Sequence, residues 1–539
     1  MQPNGLKPRA TAQLSDPREL LAELQTLRQT VYSEGQSTFE RWQPHLQRPG
    51  FSNSALNLAY YLALRRQDLR PLQAALRPWG LSSLGRIEAQ VMPNLDAVIA
   101  TLGSLCQVDP STLPPRPTLD DFFDGERLLH QHTEELFGPT DPRRRVRIMV
   151  TLPTEAAEHY DFVKELLQRG AACVRINCAH DSASQWLAMV EHVRRAEQDL
   201  NRSCKILMDL GGPKPRTLAV RFPRDKRRIF LGDRVLLTPF APPAVEAVEP
   251  AVENEGSCAD GGNDSDRLSN RLSNGTDLVQ AGCSIPEILD SLSPGAAVWI
   301  DDGKIGATVI ETGYPSAPDQ PPGVLLEITH VKSEGAKLKP DKGLNFPDTV
   351  LSISPLTDKD LQDLDFVVSH ADIIGYSFVQ TAADIEQLQQ QLAQRLGERA
   401  TVPAIVAKIE TPEAVRNLPE LIVHAAGKQP FGVMIARGDL AVEIGYQRLA
   451  EIQEEILWLC EAAHVPVIWA TQVLENLVKT GVPSRGEITD AAMAERAECV
   501  MLNKGSYVAE AVTILDDVLT RMQAHQLKKT PQLRALRSW

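Results

Sequence analysis

Eight short apolar runs recur along this chain at nearly even intervals, and this repetition constrains the fold more than any other feature. Most runs begin roughly 26 to 34 residues after the previous one, which leaves room for a strand, a loop and an amphipathic helix. Eight repeats of strand then helix predict an α/β fold, the (β/α)8 TIM barrel. The runs are 146–152, 172–178, 205–210, 371–378, 403–410, 432–440, 466–472 and 499–503.

Polar residues stand at the ends of these runs. The carboxyl ends of the strands form the functional face of a TIM barrel, so we expect these side chains to converge there. Lys408 with the carboxylates of Glu410 and Asp439 indicates a metal-assisted phosphoryl site, the alternative being an ordinary strand-end salt bridge. The polar residues are Arg175, Asn177, Asp209, Lys408, Glu410, Asp439 and Thr471.

One interval, from 205 to 371, is longer by about 130 residues than a single crossover needs. Its short β-type runs are separated by Gly, Pro and Asp, which predicts a small antiparallel barrel or sandwich inserted after the third strand, at 219–343. Within it, 249–277 is rich in Asn, Ser, Asp and Gly and repeats Arg-Leu-Ser-Asn. That composition indicates a flexible surface loop.

The chain before the first run differs in character. Leu and Ala recur there at helical spacing, and a Pro-rich linker follows at 109–124. We therefore expect a helical module with its linker at 1–142, the barrel at 143–218 and 344–525, and a short tail at 526–539.

Composition excludes several classes of function. A formal net charge of −14 argues against nucleic acid as a partner. No apolar stretch is long enough to span a membrane and the first residues lack the apolar core of a signal peptide, so we expect a cytoplasmic protein without a membrane partner. The eight cysteines form no Cys-x-x-Cys pair, which predicts small buried hydrophobes, and the eleven histidines lack the spacing of a metal site.

Nine motifs occur in one order between residues 145 and 519. They include Arg-Ile-Asn-Cys-Ala-His, Lys-Ile-Glu and Ala-Thr-Gln, and they stand at 175–180, 209–217, 301–303, 342–345, 356–364, 408–410, 436–440, 470–472 and 483–487. As an ordered set they resemble the motifs of the pyruvate kinase family. The resemblance implies phosphoryl transfer from phosphoenolpyruvate to ADP, giving pyruvate and ATP.

The resemblance also implies roles for individual residues. Glu410 and Asp439 would hold a divalent cation, Mg²⁺ or Mn²⁺. Lys408 would stabilise the transferring phosphoryl group and the enolate, and Arg175 would bind the phosphate with its fixed fork of donors. The backbone amides at Gly438 and Asp439 would receive the substrate carboxylate.

Thr471 matches the threonine near the methylene carbon that must be protonated. Its hydroxyl is a poor acid alone, so a proton chain through water that ends at Thr471 is the more plausible reading, and the donor stays open. Asn177, His180, Arg216 and Lys342 match positions at the nucleotide, with Lys342 brought in when the inserted domain closes.

The family's pocket for a monovalent cation is altered in this sequence. Ala179 and Leu210 stand where the family has a serine and a threonine, and Lys214 replaces a glutamate. Near Asn177 and Asp209, the ammonium of Lys214 can supply the charge that K⁺ otherwise supplies. The resemblance therefore implies an enzyme that does not require K⁺.

Other departures affect the nucleotide side and assembly. The turns at 151–153 and 503–506 differ from the family's, which puts nucleotide contacts and turnover in doubt. Only a short tail follows the last predicted barrel helix, so control and subunit contacts through the family's carboxyl-terminal domain are not expected. We expect a homo-oligomer, in which the amino-terminal module would take over the assembly role.

Two other functions remain open from the sequence. One is a non-catalytic homologue that only binds phosphoenolpyruvate, which the altered turns and the added module favour. The other is a magnesium-dependent lyase or aldolase of a pyruvate-type substrate, although such an enzyme would not need the inserted domain with Arg216 and Lys342.

Overall fold

The computed structural model describes residues 16–223, 226–242, 278–316, 320–351, 353–397 and 402–532. The whole loop predicted at 249–277 and the last seven residues of the tail lie outside these residues. Contacts divide the chain into two compact units. The first comprises Met1–Gly212, Pro355–Leu440 and Gln447–Trp539, and the second comprises Pro213–Ser354 and Ala441–Tyr446.

The first unit begins with the predicted helical module. Its longest helix starts at the capping residue Asp16, whose side chain accepts from the Arg18 amide, and its last helix starts with a capping box at Thr118. The helices are α1 Pro17–Trp42, α2 Ser52–Arg65, α3 Arg70–Leu76, α4 Val91–Leu105 and α5 Leu119–Phe137.

All eight apolar runs form strands, and these close into one parallel barrel as predicted. The order around the barrel is β1, β2, β3, β11, β12, β13, β14 and β15, with β15 pairing back to β1. The strands are β1 Arg147–Thr151, β2 Cys173–Asn177, β3 Lys205–Asp209, β11 Ile373–Tyr376, β12 Ala404–Ile409, β13 Phe431–Ala436, β14 Val467–Ala470 and β15 Cys499–Leu502.

Helices follow the barrel strands and bury one apolar face each against them. Four of these helices begin with a capping box, at Ser182, Thr357, Thr381 and Ser484. They are α6 Tyr160–Arg169, α7 Ala183–Leu200, α8 Asp358–His370, α9 Ala382–Leu396, α10 Pro412–Arg416, α11 Leu418–Ala426, α12 Arg437–Ile444, α13 Tyr446–Ala462, α14 Glu475–Thr480, α15 Arg485–Met493 and α16 Val508–Met522.

The predicted ends of three runs are wrong. The runs at 371–378 and 466–472 stop early because the backbone turns to positive φ at Phe378 (55°) and Thr471 (63°). The run at 432–440 combines a strand that ends at Ala436 with the start of helix α12, and Asp439 in the first turn of α12 favours that start.

Side chains from α5 close the amino-terminal end of the barrel. Leu136 and Phe137 are buried in one cluster with inward-facing strand residues such as Met149 and Leu207. Gly432 permits this approach, because a Cβ there would lie 2.5 Å from Leu136 Cδ2. The helical module therefore contributes to the core of the barrel.

Polar contacts also hold the module against the barrel. Asn57 Nδ2 donates to the carbonyl oxygens of Glu88 (2.8 Å) and Ala462 (2.9 Å), and Ser54 Oγ lies 2.8 Å from His464 Nδ1. Beside these contacts, a small hairpin of β16 Gln526–Leu527 and β17 Thr530–Pro531 places Lys528 Nζ 2.5 Å from Glu498 Oε1, and Lys529 pairs with Glu88 of the module.

The second unit is the inserted β structure. Its sheet has the order β10, β7, β8, β9, β5, β6, β4, and its pairs are antiparallel except that β5 and β6 run parallel, which the antiparallel prediction missed. The strands are β4 Thr217–Arg221, β5 Arg234–Thr238, β6 Val279–Cys283, β7 Ala297–Ile300, β8 Ile305–Tyr314, β9 Gly323–His330 and β10 Leu344–Asn345.

The structure also bears on the expected lack of a membrane span and on the cysteines. No helix among them is both long and apolar enough to cross a membrane. The seven cysteines that the structure describes are buried and free, which confirms the prediction that they pack as small hydrophobes.

Candidate active site

Lys408 lies at the centre of a buried cluster at the carboxyl end of the barrel. Its ammonium donates to Ser377 Oγ (2.7 Å) and lies 3.0 Å from Glu410 Oε1 and 3.4 Å from Asp209 Oδ2. The lysine side chain is 12% exposed, and the two carboxylates are 2% exposed or less. As predicted from their strand ends, these three groups meet.

Arg175 joins the cluster from the neighbouring strand. Its Nε donates to Asp209 Oδ2 at 3.0 Å, a second nitrogen contacts the same oxygen, and Nη1 donates to Thr151 Oγ1 at 3.3 Å. Asp209 is held between strands β2 and β11, where it is in register with Asn177 and Gly375. Two cations therefore share one carboxylate.

Electrostatics fix the charge states of this cluster. Burial acts to lower the pKa of Lys408, but Asp209 and Glu410 outweigh it, and the net pKa is raised. Burial acts to raise the pKa of Asp209, but Lys408 and Arg175 bring it below its ordinary value. The ammonium and this carboxylate are therefore both charged at neutral pH, and together with Arg175 they present positive charge to an anionic ligand.

Glu410 and Asp439 fit a divalent cation. The pKa of Glu410 is raised, mainly by burial and further by the charge of Asp439, although Lys408 and the Phe378 amide act to lower it. A raised carboxyl pKa means that negative charge at this point is incompletely compensated, and a bound cation would relieve it. Carboxylate oxygens are the ligands that Mg²⁺ and Mn²⁺ prefer.

The turn after β11 positions both Lys408 and Glu410. Ser377 Oγ donates to the Leu210 carbonyl (2.7 Å) while accepting from Lys408, and the Phe378 amide donates to Glu410 Oε2 at 2.7 Å. Phe378 adopts a left-handed backbone, which is costly for a bulky residue and is typical of functional sites. Sequence reasoning missed both residues, because it took the run as continuous strand.

The turn after β14 holds Thr471. Thr471 and Gln472 both have positive φ, and the Thr471 hydroxyl is buried with no hydrogen-bond partner among the described residues. A Cβ built on Gly438 would lie 3.8 Å from this hydroxyl, so Gly438 and Thr471 are adjacent. The hydroxyl is thus available to a ligand or a water.

Arg437 holds this strained turn in place. Its guanidinium donates to the carbonyl oxygens of Ala470 (2.9 Å) and Thr471 (2.6 Å), pairs with both carboxylate oxygens of Asp490 (2.5 and 2.8 Å) and lies 4.6 Å from the Trp469 ring centroid. Arg437 lies within the motif at 436–440, but the sequence assigned no role to this residue. Its place directly after a strand was the signal that could have found it.

Asn177 ends strand β2, and His180 lies on the loop that follows it. Asn177 Oδ1 accepts from the Ala179 amide at 3.1 Å, and the His180 carbonyl accepts from Trp186 Nε1 at 3.0 Å. Asn177 is half-buried, whereas Ala179 and His180 are exposed. His180 is therefore accessible to a ligand at this end of the barrel.

Three further candidate residues belong to the second unit. Lys342 Nζ lies 2.9 Å from Asp301 Oδ1, Arg216 Nη1 lies 3.2 Å from Asp341 Oδ1, and Lys214 Nζ lies 3.9 Å from Asp302 Oδ1. Each cation thus has an acidic neighbour within its own unit. Their predicted roles at the nucleotide and in place of K⁺ stay predictions.

Comparisons with known proteins point to one family. A family model described as the barrel domain of pyruvate kinase matches residues 143–241 and 267–512. The chain is 30% identical over 392 residues to a pyruvate kinase of Agrobacterium vitis, and this match covers 71% of the chain and 70% of the relative. A pyruvate kinase of Methylorubrum extorquens is 29% identical over 391 residues, with the same coverage.

A solved structure gives the same result for the fold. The crystal structure of a pyruvate kinase from Cryptosporidium parvum superposes with a TM-score of 0.56 at 23% identity, and the match covers 72% of each chain. At that identity the likeness concerns the fold alone. The family match starts at residue 143, so the helical module lies outside it.

Proposed function

Since the chain belongs to the pyruvate kinase family, a family of phosphotransferases, we propose that it transfers the phosphoryl group of phosphoenolpyruvate to ADP, giving pyruvate and ATP. The observation that carries the proposal is the buried cluster of Lys408, Arg175, Asp209 and Glu410. In the reaction the bond between phosphorus and the enol oxygen breaks, a bond from phosphorus to an oxygen of ADP forms, and the methylene carbon takes up a proton.

The charges of the cluster suit phosphoryl transfer. Arg175 binds the phosphate, and Lys408 stabilises negative charge on the transferring group and on the enol oxygen, because an ammonium shielded from water interacts strongly with developing charge. The amides of Gly438 and Asp439, at the start of α12, bind the substrate carboxylate. Glu410 and Asp439 hold Mg²⁺ or Mn²⁺, which supplies Lewis-acid stabilisation of phosphate charge.

Thr471 takes part in protonation of the methylene carbon. Its hydroxyl is buried and has no hydrogen-bond partner among the described residues, so a water held against it would lie in a fixed place. The donor of the proton to that water is not assigned. On the nucleotide side we assign the binding of ADP to Asn177, His180, Arg216 and Lys342, with Arg216 and Lys342 at its phosphates, on the family motifs that these residues match.

The assay that tests this function measures pyruvate formed from phosphoenolpyruvate with ADP and Mg²⁺. A homologue that only binds phosphoenolpyruvate would bind it without forming pyruvate. A lyase would act on a pyruvate-type substrate without ADP. Turnover that depends on ADP and yields ATP in equal amount excludes both alternatives. We also propose that the protein is cytoplasmic and forms a homo-oligomer.

We predict that Gly375→Ala lowers this activity about 100-fold, because misplacement of a catalytic group by about 1 Å can cost that much. An added Cβ would lie 2.4 Å from Asp209 Oδ1, so the carboxylate must shift from the position in which its Oδ2 contacts Lys408 and Arg175. The matched control is Gly50→Ala, where nothing lies within 4 Å of the added carbon. Normal kcat/KM for Gly375→Ala, measured in the pyruvate assay, would show that the position of Asp209 does not matter.

We also predict that the activity does not need K⁺. Lys214 supplies a fixed positive charge, while Ala179 lacks the serine hydroxyl that would bind the ion; this rests on the sequence. The rate should be the same in potassium chloride as in tetramethylammonium chloride at equal ionic strength. Strong activation by K⁺ in the parent protein would contradict the prediction.

The reverse substitution supplies the control for this prediction. The combined variant Ala179→Ser, Leu210→Thr and Lys214→Glu restores the three residues that the family has in and beside the pocket for the ion. Its rate without K⁺ should fall about tenfold or more, and K⁺ should restore much of it. A variant that stays equally active with and without K⁺ would leave Lys214 without the proposed role.

A further inference from the structure

Three side chains with metal-binding groups meet on the outside of the barrel, in the first unit. His45 comes from the turn Gln43–His45 that follows α1, Glu386 from α9 and His424 from α11. One ligand atom from each lies within 4.8 Å of the other two. His424 Nδ1 lies 3.0 Å and His45 Nδ1 4.0 Å from Glu386 Oε1, and the two ring centroids are 3.8 Å apart.

The backbone around these side chains is held from both sides. The amides of Gln47 and Arg48 donate to the Gly427 carbonyl at 2.8 and 2.7 Å. Gly427 has no side chain to prevent this approach, because a Cβ there would lie 2.6 Å from the His45 carbonyl oxygen. Trp42 Nε1 donates to Glu420 at 2.9 Å, which fixes the end of α1 beside α11. The three side chains are therefore arranged before any ligand arrives.

The three side chains differ in exposure. His424 is largely buried, with a side chain 11% exposed, and its Nδ1 faces Glu386 Oε1. The side chains of His45 and Glu386 are 35% and 38% exposed, which leaves a path for an ion from solvent.

We propose that His45, Glu386 and His424 form a zinc site with a fourth position for water, which ties the helical module to helices α9 and α11. Two imidazole nitrogens with one carboxylate are a common donor set for Zn²⁺, whereas Mg²⁺ prefers oxygen ligands throughout. The site is distinct from Glu410 and Asp439. It adjoins Gly427, ahead of strand β13, whereas those two carboxylates follow the carboxyl ends of strands.

Zinc binding to the full-length protein tests this proposal. The protein is stripped with a chelator, dialysed into saturating Mg²⁺ so that carboxylate-only sites are filled, and titrated with Zn²⁺. We expect one Zn²⁺ per chain and a higher Tm, because an ion that binds only the folded state stabilises it. Co²⁺ in place of Zn²⁺ should give visible d–d bands without the thiolate charge-transfer band that cysteine ligands would add.

Single substitutions locate the site. Loss of a residue that only hydrogen-bonds to a metal ligand lowers metal affinity about 10- to 100-fold. Loss of a ligand itself should cost at least as much, so His45→Gln and Glu386→Gln should each weaken Zn²⁺ binding by that factor or more. The matched control is His130→Gln, since His130 also faces a glutamate, Glu134 at 3.5 Å, but belongs to no three-ligand cluster among the described residues. It should leave the affinity unchanged.

Two outcomes would overturn the proposal. One is that the parent protein does not bind one Zn²⁺ per chain. The other is a parent-like affinity in His45→Gln and Glu386→Gln. His45 is 35% exposed, so its variant should fold, and a circular dichroism spectrum like that of the parent confirms this before the titration. The outcome does not depend on phosphotransferase activity, so it is separate from the test of the proposed function.

Discussion

Replacing Lys408 with Met should lower the rate of pyruvate formation by about a thousandfold or more, because the loss of one preorganised donor to developing charge alone costs about 100- to 1,000-fold. The ammonium contacts Asp209, Glu410 and Ser377 at once, so its loss also leaves two buried carboxylates without their shared cation. Met preserves most of the side-chain volume. The measurement is kcat with phosphoenolpyruvate, ADP and Mg²⁺ at saturation.

A lysine at the opposite end of the barrel provides the control for Lys408. Lys205 begins strand β3 and lies 4.0 Å from Asp372, so Lys205→Met also removes a strand lysine that has an acidic neighbour. That variant should keep the kcat of the parent, whereas Lys408→Met should not. Equal rates for Lys408→Met and the parent would end the phosphotransferase proposal, since no other described side chain takes this lysine's place in the cluster.

Replacing Arg437 with Met should lower kcat about 100-fold and change the KM for phosphoenolpyruvate much less, because misplacing a reacting group by about 1 Å can cost that much. Arg437 donates to the Ala470 and Thr471 carbonyls, and without it the turn at Thr471 and Gln472 loses its support. Asp490 also loses its charged partner and keeps only the hydrogen bond from Trp469 Nε1 at 3.3 Å, which should cost about 1–3 kcal/mol of folding free energy. Steady-state kinetics and thermal unfolding measure the two effects.

Arg496→Met separates positioning from general stability. Arg496 is as buried as Arg437, with a side chain 11% exposed against 10%, and it pairs with Glu454 at 2.6 Å, but it contacts no candidate catalytic turn. The two variants should lose similar stability, while only Arg437→Met should lose kcat. If kcat falls equally in both, Arg437 is structural and does not position Thr471.

Much of this fold could be predicted from the sequence, because strand spacing repeats and each barrel strand is a separate apolar run. The same repetition brought Arg175, Asp209, Lys408 and Glu410 together, since carboxyl ends of parallel strands share one face. Strand ends were less predictable. Positive φ at Phe378 is set by packing and hydrogen bonds from elsewhere in the barrel, such as that between its amide and Glu410, and no local pattern encodes it.

Contacts between residues that lie far apart in the sequence could not be predicted either. The histidines carry no local metal-site spacing, yet the fold places His45 beside Glu386 and His424. Ser377 likewise supports Lys408 from the neighbouring strand, and a serine after an apolar run has no signature of that role. Sequence patterns along one element cannot report contacts between elements that only the closed barrel creates.

Leu136 and Phe137, which close the amino-terminal end of the barrel, limit how far the chain can be shortened at its amino terminus. Similarity to the family begins at residue 143, and a shortened version starting there would look complete by homology. It would nevertheless leave Met149 and Leu207 open to water at the floor of the barrel, with a cavity where two large side chains had been. The cooperative folding unit therefore extends upstream of the segment that the family model matches.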